Sequence, residues 1–220
     1  MFQGFDKTAP AFFAELAIEM NKTWFDANKQ RYQDLWVTPM TELLTEVGTK
    51  LKYGKLKIGS PKIFRIYRDV RFAKDKTPYK THCAATLGFQ KEMSGLPLYF
   101  HVGLEDEYAG AGTYFFEDNR LAQWRKLVAA DKTGKPLVAL VTKLRKAGYN
   151  VGGHEDYKRV PKPYDQDHPR AEFLKMRGLT AGFPEMPRGM LHKKELVGWL
   201  AKHANAVAPL VTWLATNIKK

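Results

Sequence analysis

The hydrophobic period changes twice along this chain, and that change limits the fold more than any other feature. Apolar residues recur at helical spacing over about residues 8–53, alternate as in strands over about 61–116, then return to helical spacing. Consecutive strands joined by short turns pair as antiparallel hairpins, whereas a parallel sheet needs strand and helix to alternate. The expected fold is therefore a single α+β domain over 1–220: a central antiparallel sheet with flanking N-terminal and C-terminal helices. A chain of 220 residues is long enough to bury such a core.

Thr8 is placed to cap a first helix with Pro10 in its opening turn, where a missing N–H costs little. A second helix is expected from near Trp24 to Val37, with Trp24, Phe25, Tyr32, Leu35 and Trp36 as its aromatic side. Pro39 opens a third, striped by Met40, Leu43, Leu44, Val47 and Leu51. After the strands, Asp118 can cap a helix burying Leu121, Trp124, Leu127 and Val128, and a further helix ends before Gly148. Residues 149–165 read as irregular with short strand pieces, a short helix follows Asp167, and one or two helices run from Lys193 onward.

In the strand zone, 62–67 reads as one strand. Residues 81–91 and 98–105 read as a hairpin turning at Ser94-Gly95, and 108–116 as the next strand after a turn at Asp106-Glu107. Alternation then sorts the side chains by face. Cys83, Ala85, Leu87, Phe89, Phe100, Val102 and Leu104 make a core face. His82, Thr86, Gly88, Tyr99, His101, Gly103, Gly110, Gly112 and Tyr114 share the other, which Arg65 and Tyr67 can join. Glycine weakens a strand unless something approaches its backbone closely. A covering helix is the preferred reading, because a sheet in an α+β domain often needs both faces covered; a ligand is the alternative.

The densest chemistry lies in residues 65–82, RIYRDVRFAKDKTPYKTH. Arg65, Arg68, Arg71, Lys76 and Lys80 supply guanidinium forks and ammonium charges suited to phosphate or carboxylate oxygens. Tyr79 here and Tyr114 later can flank a bound anion. Asp69 and His82 are the proton-transfer candidates, and Asp69 and Asp75 can instead orient the arginines. Arg159 belongs to a second basic-aromatic run, 158–164, which would complete a cationic cleft if it folded against the first. The plainer reading is a surface network of ion pairs pinning a loop, although such pairs contribute only ~0–1 kcal/mol each.

The run Phe64–Phe72 followed by Lys74–Thr81 closely resembles the signature of the domain-of-unknown-function family 2461. Phe2, Gly4, Phe5 and Phe12 resemble that family's opening, and Trp24, Phe25, Asn28, Lys29 and Tyr32 its second helix. Gly110, Gly112 and Tyr114, Leu121 with Arg125, and Arg159, Pro161, Lys162, Tyr164, Asp167, His168 and Pro169 resemble its later motifs. Pro163 departs from it, standing where the family tends to have glycine. The resemblance spans nearly the whole chain. It implies an α+β domain found mainly in bacteria, and it implies no activity.

Other chemistry finds little support. His82 and Cys83 are neighbours on a strand and so point to opposite faces, which excludes a paired nucleophile and leaves Cys83 as a core residue. The six histidines lack metal-binding spacing, so no metal is expected. No phosphate-cradling or dinucleotide loop is present, so no cofactor is expected. Gly152-Gly153-His154-Glu155-Asp156 is a turn whose acids and histidine are weak catalytic candidates. One cysteine forms no internal disulfide, no apolar run is long enough to cross a membrane, and a cytoplasmic protein is expected. A net charge of +13 favours polyanions. The expected partner is a phosphate-containing or other anionic small molecule; the alternatives are non-specific nucleic-acid binding and a scaffold with a structural ion-pair network. The sequence does not decide whether a reaction is catalysed.

Overall fold

The computed structural model describes residues 1–154 and 156–219. Three helices lead: α1 (Ala9–Glu19), α2 (Lys22–Tyr32) and α3 (Thr38–Lys50). Between α2 and α3 the backbone widens into a π turn, Gln33–Val37, with the Thr38 N–H donating to the Gln33 carbonyl. Pro39 explains the widening: it offers no N–H, and its ring would crowd the carbonyl four residues back. Thr8 stands at the first N-cap without a side-chain bond to the helix; its hydroxyl donates to Asp6 instead.

The strands β1 (Ile58–Ile63), β2 (His82–Phe89), β3 (Leu96–Gly103) and β4 (Glu107–Thr113) follow as an antiparallel meander. Next come α4 (Asp118–Ala129), α5 (Asp131–Lys146), β5 (Asn150–Gly152), α6 (Ala171–Lys175), β6 (Leu179–Gly182) and α7 (Leu196–Asn217). The sheet order is β1-β2-β3-β4-β6-β5, antiparallel throughout. β1 is an edge strand, and this lets it carry Pro61, which cannot donate to a neighbour. The tail is one helix that runs through Pro209.

The helices cover one face of the sheet. Cys83, Ala85, Leu87, Leu98, Phe100 and Val102 pack with α1, α2, α3 and the start of α7. Ala111, Val151, Leu179 and Ala181 pack with α4, α5 and the rest of α7. Trp36 is fully buried, stacked on Phe13 at 4.6 Å with its Nε1 donating to the Ala9 carbonyl at 3.2 Å. Truncating such a ring costs ~3–5 kcal/mol. Gly112 is required by its backbone: φ is +123°, and a Cβ would lie 2.3 Å from the Leu179 carbonyl oxygen.

Two expectations are corrected. The first hairpin turns over 90–95, so Ala85 faces Phe100 rather than Leu104. No helix among the described residues covers the second face: its strand residues enter neither core cluster, and Tyr108 and Tyr114 are 49% and 62% exposed.

Candidate functional site

Residues 64–81 do not form a loose loop. Beyond β1 the chain continues as a narrow two-stranded ribbon. The Phe64 N–H donates to Ala84 O, Lys80 N–H to Ile66 O and Arg68 N–H to Pro78 O, at 2.8–2.9 Å. Tyr67 and Tyr79 pair across it. Ile66 and Tyr79 turn inward; the Tyr79 ring is buried and stacks on Phe25 of α2 at 4.7 Å. Tyr79 therefore anchors the ribbon and does not flank a surface anion. Ile66 and Tyr79 are committed inward, while Phe72 and most of the cations stand at the surface.

Several cations are satisfied within the ribbon. Arg71 forks onto Asp69 through Nε at 2.9 Å and Nη2 at 2.7 Å. Arg68 pairs with Asp75, which also accepts the Thr77 N–H at 2.9 Å. Lys76 donates to the Val70 carbonyl at 2.9 Å. The Arg71 bonds hold the Asp69 carboxyl below its usual range, so Asp69 stays ionised and is a poor proton donor. Arg65, Lys74 and Lys80 form no close ion pair among the described residues, and the charge of Arg65 also bears on Asp69. Lys80 Nζ donates to the Arg65 carbonyl at 3.1 Å. Burial, helped by the charge of Arg65, lowers the Lys80 pKa.

Beside Lys80 the open face carries a stack of rings. His82 lies 4.2 Å from His101, and His101 lies 4.6 Å from Tyr108, nearly parallel to it at 14°. Tyr99 packs on Tyr108 at 5.8 Å, and its hydroxyl is 3.3 Å from His101 Nδ1. Register explains the column. His101 is paired with Tyr108 across β3 and β4, while His82, paired with Gly103, lies diagonally next to His101. His101 Nε2 is 2.9 Å from Asp106 Oδ1, and this carboxylate is the polar neighbour of an otherwise buried nitrogen. Burial keeps both imidazoles neutral at pH 7. It pulls His101 below its ordinary value, Asp106 partly opposing, and pulls His82 to about 4, with His101 and Lys80 adding to the effect.

The remaining candidates separate. Tyr114 stands farther along the same face, its ring 4.4 Å from His154, which contacts the Thr180 hydroxyl at 2.8 Å. Arg159 is exposed on the connection after β5, at the opposite edge of the sheet from β1. That connection is fastened elsewhere: Val160 joins the second core cluster, and Arg125 and Arg177 lie over the Tyr157 ring at 5.1 and 5.5 Å. The two basic runs therefore do not close one cleft. Glu155 of the 152–156 turn lies outside the described residues. Cys83 is buried, its thiol pushed up to about 12 by burial. Tyr108 and Asp106 are site residues that the sequence reading did not single out. The signal for Tyr108 was its place opposite His101 once the β3–β4 register is known.

Among the described residues, no group of three His, Cys, Asp or Glu side chains could hold a metal ion. No described helix is long and apolar enough to cross a membrane. Surface hollows of about 620 and 310 Å³ lie along α3 near Met1, Glu46 and Lys50, and no ring-stack residue lines either. The ring stack opens to solvent at Tyr108, which is 49% exposed.

Comparison with curated proteins and with solved structures gives no match. A family of conserved hypothetical proteins, DUF2461, matches residues 8–213, which include the ribbon, the ring stack and most of both core clusters. The chain therefore belongs to the DUF2461 family of conserved hypothetical proteins.

Proposed function

We propose that this protein binds a phosphate-bearing ligand on the uncovered sheet face, at the corner formed by Arg65, Lys80 and His82. One observation carries the reading. Lys80 is held in a partly desolvated place beside Arg65 and two neutral imidazoles, with no carboxylate paired to it among the described residues, the nearby Asp106 facing His101 instead. Arg65 and Lys80 repel each other, Asp69 only partly offsetting Arg65, and an oxyanion between them relieves that cost. The neutral imidazoles add hydrogen-bonding nitrogens suited to a tetrahedral oxyanion. Arg68 and Arg71, already paired with Asp75 and Asp69, would shape the ribbon rather than hold the ligand. His82, with its pKa near 4, would be a weak base, so the reading is of binding first. A single buried thiol and a basic surface fit a cytoplasmic setting with anionic partners.

Thermal unfolding with inorganic phosphate and pyrophosphate tests this. A bound anion stabilises by ~2.7 kcal/mol at a hundredfold excess over Kd. Arg65→Ala and Lys80→Met should each weaken binding by roughly 10- to 150-fold, the effect of losing a charged hydrogen bond. Arg71→Ala should leave binding intact. No stabilisation by either anion, or equal losses in all three variants, would refute the proposal.

A further inference from the structure

The uncovered face holds glycines that the fold does not need. Gly88, Gly152 and Gly182 lie on it. A Cβ would meet nothing within 4 Å at Gly152, only Leu96 Cδ2 at 3.5 Å at Gly88, and only Asn150 at 3.6 Å at Gly182. None of the three has a positive φ. Glycine costs a strand stability relative to a residue with a side chain, so packing and backbone geometry leave these three unexplained. A side chain there would fit the fold but would stand up from the face. Their common effect is a low floor, interrupted by Leu96 beside Gly88 and by Asn150 beside Gly182.

Rings rise on either side of that floor. Tyr108 stands on one side and Tyr114 on the other, six residues apart on one strand and its extension, about 20 Å by strand rise. Beneath Tyr108 lies His101, more than nine-tenths buried, its Nε2 2.9 Å from Asp106 Oδ1. The cationic corner of Arg65 and Lys80 adjoins this end of the column, since the Lys80 charge bears on both histidines. Exposed rings over a low floor, with cations alongside, suit the bases and phosphates of a nucleic-acid strand. A lipid surface or an apolar protein partner would call for a continuous aliphatic patch, and these rings are separated and carry hydroxyls. A duplex hides its base faces inside its own stack; a single strand offers them.

We infer that the phosphate-bearing ligand is a single-stranded nucleic acid whose bases stack on Tyr108 and Tyr114 over the glycine floor. This rests on the proposed anion site, which supplies the phosphate contacts.

The test is fluorescence anisotropy of the full chain with a labelled single-stranded hexanucleotide, an abasic strand of equal charge and a duplex, each at two salt concentrations. The base-bearing strand should bind more tightly than the other two. Tyr108→Ala and Tyr114→Ala should each weaken it about 5- to 150-fold. Tyr108→Phe should retain binding. Gly182→Val, and Gly152→Thr as a second variant should the first misfold, should leave the thermal midpoint unchanged or raised, weaken the base-bearing strand and leave pyrophosphate binding unchanged. Equal binding of the abasic strand would overturn the stacking inference while the anion site survived. Binding of the duplex as tight as the single strand would also overturn it. No binding of either strand or of pyrophosphate would remove both proposals.

Discussion

Acidification should destabilise this protein through His82 before Asp69 and Asp75 respond. The His82 imidazole is half-buried on the sheet face, against His101 and near Lys80 and Arg68, with Asp106 as the opposing charge. Its pKa therefore falls from 6.5 to about 4 in the folded chain. Because the folded value lies below the unfolded one, the unfolded chain takes up this proton first as pH falls. The native state loses stability from about pH 6.5 downward, and the loss levels off near 4, where the folded imidazole also titrates. At about pH 5 the full shift amounts to roughly 2 kcal/mol, at ~1.4 kcal/mol per pKa unit. Partial solvent exposure reduces this to about 1 kcal/mol. Asp69 and Asp75, whose folded values lie below 3.8, contribute stability that is lost only at lower pH. His101 and His203 are also depressed by burial, but they remain in both proteins when His82 alone is replaced. The assay is urea unfolding of the native protein and of His82→Gln at about pH 7.5 and about pH 5, taken at constant ionic strength. The native protein should lose about 1 kcal/mol more than the variant between these conditions. Parallel losses would show that His82 is not held neutral by its surroundings and would remove the electrostatic picture of the ring stack.

Two further outcomes follow from packing. Gly112→Ala should lower stability by more than about 2 kcal/mol in urea unfolding, because φ is +123° and the new Cβ would meet the Leu179 carbonyl at 2.3 Å. Tyr79→Ala should cost ~3–5 kcal/mol and speed tryptic cleavage at Arg68, Arg71 and Lys74, since it removes the ring that fastens the ribbon to Phe25. Unchanged cleavage would mean the ribbon is held by its backbone bonds alone.

The sorting of strand residues by face was legible in the sequence because alternation is a local property. The hairpin expected at Ser94-Gly95 forms with a different register, yet Cys83, Leu87 and Phe100 still face the core and His82, Tyr99 and His101 still face away. The shift, from Leu104 to Phe100 opposite Ala85, is an even number of residues, and only an odd shift exchanges faces. The chain also announced its α+β class, the aromatic side of α2 and the buried character of Cys83 by itself, through period and composition alone. Other features required the folded chain. β6 is four residues long, and its pairing with β4 and β5 joins segments distant in sequence, so no local pattern marks it. Tyr79 and Arg71 lie in one basic-aromatic run, yet Tyr79 turns into the core against Phe25 while Arg71 closes on Asp69. Burial of the one and pairing of the other depend on neighbours that only packing supplies. The uncovered face was decided in the same way. Local sequence fixes which side chains share a face; whether a helix or solvent lies above them depends on where every other element finds its own apolar partner.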